Sequence, residues 1–132
     1  MNKVIKACES AKQLANTFYE VLDSKRHVLS KFYTDESELI YNGNFKQKAS
    51  TIAEFYCSIP DSDHQLLTCD AHPIHESASQ GTYMVQVMVT GKVKYANVPR
   101  KVPFNHVFLL VEINEKLKIL RENFRYSNVE IS

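Results

Sequence analysis

The hydrophobic period of this chain changes at Pro60 and does not change back, and that single switch restricts the fold more than any other feature. Upstream, Val4, Cys8, Ala11, Ala15, Phe18 and Leu22 recur every three or four residues, with Lys6, Glu9, Lys12, Gln13 and Glu20 largely opposite them. This spacing predicts one amphipathic helix over residues 4–22, a stretch without Gly or Pro. Ser24 is a candidate cap for a second helix over 25–32, striped by Val28, Leu29 and Phe32. Ser50 or Thr51 can cap a third, carrying Ile52, Phe55 and Ile59. Between these helices, the polar stretch 34–37 breaks the pattern. Leu39-Ile40-Tyr41 then reads as a short strand entering Asn42-Gly43, a tight-hairpin signal. Downstream the period is two. Strand-like runs at 65–75, 83–95, 104–113 and 117–126 are separated by Ser79-Gln80-Gly81, Asn97-Val98-Pro99 and Asn114-Glu115, so neighbours can be antiparallel. Helices first and a strand meander afterwards is an α+β order, not the alternation of a parallel α/β fold.

The faces of these strands raise a covering problem. In the 83–95 run, Tyr83, Val85, Val87 and Val89 alternate with Met84, Gln86, Met88 and Thr90; the second set is semi-polar and rich in Met, as on surfaces that pack against a partner. In the 104–113 run both faces are apolar, with Phe104, Phe108 and Leu110 on one side and Val107, Leu109 and Val111 on the other. Three short helices suffice for one face of a sheet, so a partner subunit is expected on the second. The last strand brings Arg121, Asn123 and Arg125 to that face, opposite Leu120, Glu122, Phe124 and Tyr126. The expected partner-binding set is therefore Met84, Gln86, Met88, Asn105, Val107, Leu109, Arg121, Asn123 and Arg125. A guanidinium buried there needs a carboxylate on the partner.

Composition narrows the classes. A chain of 132 residues suits one core, so a single domain over 1–132 is expected. With 44% hydrophobic residues, 3 Gly and 4 Pro, disorder is not expected. Sixteen Lys and Arg against 15 Asp and Glu leave a net charge of +1, so no global field draws the chain to nucleic acid or anionic membrane. No apolar run approaches the roughly 20 residues that span a bilayer, and neither a membrane span nor a secretory signal is expected. Cys8, Cys57 and Cys69 form an odd set without a CxxC, which fits neither a disulfide framework nor a zinc site. They read as small buried apolar residues in a reducing, intracellular compartment.

Several segments, in their order and spacing, carry a resemblance. These are Tyr19-Glu20-Val21-Leu22-Asp23-Ser24-Lys25-Arg26 with Leu29-Ser30-Lys31-Phe32-Tyr33, Leu39-Ile40-Tyr41-Asn42-Gly43-Asn44, Ile52-Ala53-Glu54-Phe55 with Ile59-Pro60, and Glu122-Asn123-Phe124-Arg125-Tyr126. From about residue 7 to residue 126 the chain resembles the nuclear transport factor 2-like family, and within it the export branch. The resemblance implies a cone, with three helices in the concavity of a curved antiparallel sheet and a dimer formed through the other face. It implies a non-enzymatic small subunit pairing with the similar domain of the large subunit of the mRNA export receptor. The heterodimer would meet nucleoporins and shuttle between nucleus and cytoplasm through the pore. Arg125, in the family's Phe-Arg motif, would pair with an acidic residue of the large subunit. No cofactor, metal or membrane contact is implied. The homodimeric carrier of the family binds a small GTPase through acidic residues at its cavity. Here no Asp or Glu lies between Glu76 and Glu112, and the corresponding loop reads Tyr95-Ala96-Asn97-Val98-Pro99-Arg100-Lys101, so GTPase binding is not expected.

Other readings compete. The same fold carries isomerases and dehydratases, and Asp70, His72 and His106 share the core-side parity of their strands, the minimal kit for proton abstraction beside a carbonyl. No second positioned donor accompanies them. His72-Pro73-Ile74-His75 is an HxxH string, but on a strand its histidines point to opposite faces. Lys92, Lys94, Arg100 and Lys101 cluster, with Tyr95 as the sole interleaved aromatic; solvated, edge-protecting cations explain them better than an RNA site, and direct RNA binding is expected to be weak or absent.

Overall fold

The computed structural model describes residues 2–74 and 83–127, with side chains from residue 6 onward; the expected turn at 79–81 and His75 lie outside the described residues. Helix α1 (Asn2–Ser24) leads into a 3-10 helix (Arg26–Phe32), the strands β1 (Tyr33–Tyr41) and β2 (Asn44–Gln47), and helix α2 (Ala49–Ser58). Four long strands follow: β3 (Ser62–Ile74), β4 (Met84–Tyr95), β5 (Val102–Ile113) and β6 (Lys116–Tyr126). They form one six-stranded sheet in the order β2-β1-β6-β5-β4-β3, with the three helices on one face.

The sheet is mixed, where antiparallel pairing throughout was expected. β1 runs parallel to β6, so the first and last strands of the domain lie side by side. The polar stretch 34–37 is a bulge within β1, at the register shift between Tyr33 and Glu38. There the buried Ser37 hydroxyl donates to the Ile119 carbonyl at 2.5 Å and accepts the Thr34 amide at 2.8 Å. A side-chain donor thus replaces backbone pairing where the ladder slips. The helix expected over 25–32 is a 3-10 helix over Arg26–Phe32, with Leu29 buried at its middle. Ser24 does not cap it; its hydroxyl bonds back to the Glu20 carbonyl. α2 begins ahead of both expected caps, after Lys48 at φ 82°, with no side-chain cap. Asn42 (φ 49°) and Gly43 (φ 86°) make the expected hairpin turn.

Two charged side chains tie the helices to the sheet. Arg26 spends its donors on the carbonyls of Leu22, Tyr56, Ile59 and Pro60 and on the Ser62 hydroxyl, at 2.6–3.0 Å. It thereby joins the end of α1, the end of α2 and the start of β3. Asp23 accepts from the Ser62 hydroxyl and the His64 amide, both at 2.8 Å, and pairs with His64 Nδ1 at 2.7 Å. Partial burial pushes the Asp23 carboxyl up, but His64 and these donors outweigh it and hold the group below the usual carboxylate range. The core is centred on Phe18, which meets the rings of Phe32, Tyr56 and Phe108 edge-on at 5.3–5.9 Å. Cys57 is exposed, contrary to the expectation that all three cysteines are buried, and Cys8 and Cys69 are half-buried; all three are free thiols.

A candidate protein-binding face

Strand register lines up the side chains of the face away from the helices. One row across the sheet runs Asp70, Met88, Val107, Asn123, Ile40 and Phe45. Its neighbours run His72, Gln86, Leu109, Arg121 and Glu38 on one side, and Thr68, Thr90, Asn105 and Arg125 on the other. All nine residues expected at a partner face stand on this side, with Met84 at its end opposite Val111. Three apolar members of the first row are open: Met88 is 44% exposed, Ile40 40% and Phe45, on the edge strand β2, 56%. A shallow depression of about 280 Å³ lies among Ile40, Ile74, Gln86, Val107, Leu109 and Asn123. Ile40 and Phe45 were not foreseen, although the alternation of Leu39, Ile40 and Tyr41 carries the signal: the first and third are buried and the second points outward.

The charged members of this face differ in how they are balanced. Arg121 has Glu38 of its own chain at 3.6 Å. Arg125 is exposed, stands beside Asn105 in the ladder and makes no ion pair among the described residues. Asn105 donates to the Ser127 hydroxyl at 3.1 Å.

Asp70 and His72 also lie on this outer face, which corrects their expected place beside the core. A bulge between Leu66 and Thr68 inserts Leu67 into β3, and everything beyond it changes sides. The expected grouping of Asp70 with His72 and His106 is therefore not assembled, since of the three only His106 reaches the interior.

There His106 belongs to a closed network that strand alternation alone did not reveal. Its Nε2 lies 2.5 Å from Glu122 Oε2, and its Nδ1 lies 2.6 Å from the Tyr19 hydroxyl. Tyr33 donates to Glu122 Oε1 and Tyr56 to Glu122 Oε2, each at 2.5 Å. A neutral imidazole fits both contacts, accepting from Tyr19 at Nδ1 and donating from Nε2 to the carboxylate. Burial holds His106 below the usual histidine range, against the opposing pull of Glu122. Burial, reinforced by Glu122, raises Tyr19, Tyr33 and Tyr56 well above theirs. Every functional group of this network has a partner, and His106 and Glu122 are 1% and 3% exposed. Its chemistry is that of a satisfied polar core.

The basic cluster is dispersed by its own contacts. Lys94 donates to the Tyr95 carbonyl at 2.9 Å and Lys101 to Gln65 Oε1 at 3.1 Å. Tyr95 is buried, its hydroxyl bonded to those of Tyr41 at 2.7 Å and Tyr126 at 3.0 Å, so it offers no stacking surface. No group of three or more His, Cys, Asp or Glu among the described residues is placed to hold a metal ion. No helix among them is long and apolar enough to cross a membrane.

The chain was compared with known proteins. It is 33% identical over 129 residues to NTF2-related export protein 2 of Bos taurus, covering 95% of this chain and 90% of that one. Nuclear transport factor 2 from Cryptosporidium parvum superposes with a TM-score of 0.78 at 21% identity, over 90% of this chain and 93% of the other. The C. albicans Mtr2–Mex67 M domain complex contains a chain that matches with a TM-score of 0.70 at 14% identity, over 94% of this chain and 99% of that one. The family model for the nuclear transport factor 2 domain matches residues 10–126. With the model spanning almost all of its helices and strands, this chain belongs to the nuclear transport factor 2 family.

Proposed function

We propose that this chain is the non-enzymatic small subunit of a heterodimeric nuclear mRNA export receptor. In this reading it stabilises the similar domain of a large subunit and passes the pore, shuttling between nucleus and cytoplasm, through nucleoporin contacts of the heterodimer. The observation that carries the reading is the outer sheet face, where Met88, Ile40 and Phe45 lie exposed in one row with no helix over them. Its relatives include NTF2-related export proteins, and a chain of the C. albicans Mtr2–Mex67 M domain complex shares its fold. Met84, Gln86, Met88, Asn105, Val107, Leu109, Arg121, Asn123 and Arg125 are the proposed contact residues, and Arg125, which makes no ion pair among the described residues, is the proposed partner of a carboxylate. The absence of Asp and Glu between Glu76 and Glu112 speaks against a GTPase carrier, since nothing there offers the negative charge that role requires.

Copurification of the tagged chain from its native cells, with mass identification of stoichiometric partners, tests the reading. A larger chain bearing a similar domain, held one to one, is the expected result. Recovery of a homodimer alone, or binding of a GDP-loaded transport GTPase in a calorimeter, would overturn it.

A further inference from the structure

Three tyrosines meet on the inner face, at the end of the sheet where β1, β4 and β6 finish. The Tyr41 and Tyr95 hydroxyls lie 2.7 Å apart, and the Tyr126 hydroxyl donates to that of Tyr95 at 3.0 Å, so Tyr95 is the middle of a hydroxyl chain. Strand order alone keeps these residues apart. In the ladder Tyr41 is level with Phe124, His106 and Val89, and Tyr95 lies six residues beyond Val89 along β4. On a flat sheet that separation is roughly 14 Å across the strands and about 20 Å along them, with side chains standing parallel to one another. Contact between the hydroxyls therefore requires the end of β4 to turn over the helix side of the sheet. The turn has a local origin: the bulge between Leu66 and Thr68 in β3 lies beside Gly91 of β4, whose missing side chain leaves room for the Gln65 carbonyl. Tyr41 stacks on Phe124 at 4.5 Å. Burial pushes Tyr41 and Tyr95 above the usual tyrosine range, which keeps both hydroxyls protonated.

We infer that Tyr95 is a positioning residue for partner binding, its hydroxyl fixing the curvature of the outer face by tying β4 to β1 and β6 from the inner side. The inference rests on the heterodimer reading above. The outer face is divided by β5: Ile40, Phe45 and Arg125 stand on β1, β2 and β6, and Met88 stands on β4. A rigid partner surface that touches both sides fits them together at one curvature. Molecules whose sheet has flattened do not bind, and they lower the apparent affinity in proportion to their number. Tyr41 and Tyr126 adjoin Ile40 and Arg125 in sequence, so the chain of hydroxyls is one residue removed from the face it shapes. Tyr95 is 6% exposed and turned inward, so its effect on affinity passes through the fold.

The test compares Tyr95→Phe, which keeps the ring and removes the hydroxyl, with the double variant Tyr41→Phe/Tyr126→Phe and with Ala15→Gly, which loosens α1 away from the tyrosines. Affinity of the full chain for the proposed large subunit's similar domain is measured at a temperature where every variant is folded, beside amide hydrogen exchange of the free chains. Tyr95→Phe should weaken binding about fivefold, the double variant should weaken it equally, and Ala15→Gly should bind as wild type does. In free Tyr95→Phe the amides of Asn42, Ala96 and Tyr126, which close this end of the sheet, should exchange faster than in wild type. Wild-type affinity in Tyr95→Phe, or equal losses in Tyr95→Phe and Ala15→Gly, would overturn this inference alone. Failure of the wild-type chain to bind that domain would overturn it together with the heterodimer reading.

Discussion

The two faces of one sheet handle polar side chains in opposite ways. On the inner face Glu122, His106, Tyr19, Tyr33 and Tyr56 satisfy one another inside a buried network. On the outer face Asp70 and Arg125 stand on the side of the exposed apolar residues without an ion pair among the described residues. The inner arrangement is complete in the single chain, whereas the outer one has its apolar centre and its charges in place before anything covers them. Buried polar groups are stable when all are satisfied and costly when one partner is lost. Mutations on the two faces should therefore register in different experiments, stability for one and association for the other.

The largest effect should follow Glu122→Ala, which strands the donors of Tyr33, Tyr56 and His106 in the core and should cost about 4 kcal/mol of folding stability in urea titrations. Gly91→Ala should also be severe, because a Cβ there would lie 2.3 Å from the Gln65 carbonyl oxygen, which belongs to the backbone of β3. Arg125→Ala should leave the unfolding midpoint of the free chain unchanged and weaken association with the proposed large subunit by about 3 kcal/mol. Arg125→Lys should recover part of that loss, an ammonium being unable to offer two parallel donors. If Arg125→Ala instead lowers the stability of the free chain, the separation of the faces fails.

Acid sharpens the contrast further. His106 is held below its unfolded range, so the folded chain binds fewer protons at that site than the unfolded chain does. Its contribution to stability is full above about pH 6.5 and declines as pH falls below it. Asp23, also depressed, adds a second loss that begins only below about pH 4. Urea midpoints from pH 7 to pH 5 should fall in wild type and stay flatter in His106→Gln, measured relative to each protein's own value at pH 7. The smallest effect is expected at the basic cluster, where Lys101→Ala removes one exposed contact to Gln65 and should change stability by less than about 0.5 kcal/mol.

What could be read from the chain follows from which interactions are periodic. α1, α2, the long strands and the apolar pattern on both faces of β5 repeat along the sequence, and they appear where expected. The outer-face residues follow from alternation in β4, β5 and β6, whose ladders keep that parity across the partner set. The position of Asp70 does not, because one inserted residue at Leu67 reverses every side chain after it and leaves no mark on composition. The parallel pairing of β1 with β6 is equally silent, being a contact between residues some 80 positions apart. Glu122 was visible on the core side of its strand as a carboxylate among Leu120, Phe124 and Tyr126. Its partners could not be named, because they come from β1, α2 and β5 and meet only in the folded chain.

Side-chain oxidation footprinting of the chain, free and bound to the proposed large subunit, tests the central claim most directly. Met88 and Phe45 should be labelled readily in the free chain and protected in the complex, while Cys57, exposed on α2 away from this face, should be labelled equally in both. Equal labelling of Met88 and Phe45 in the two states, with the complex intact, would show that the outer face is not where the partner binds.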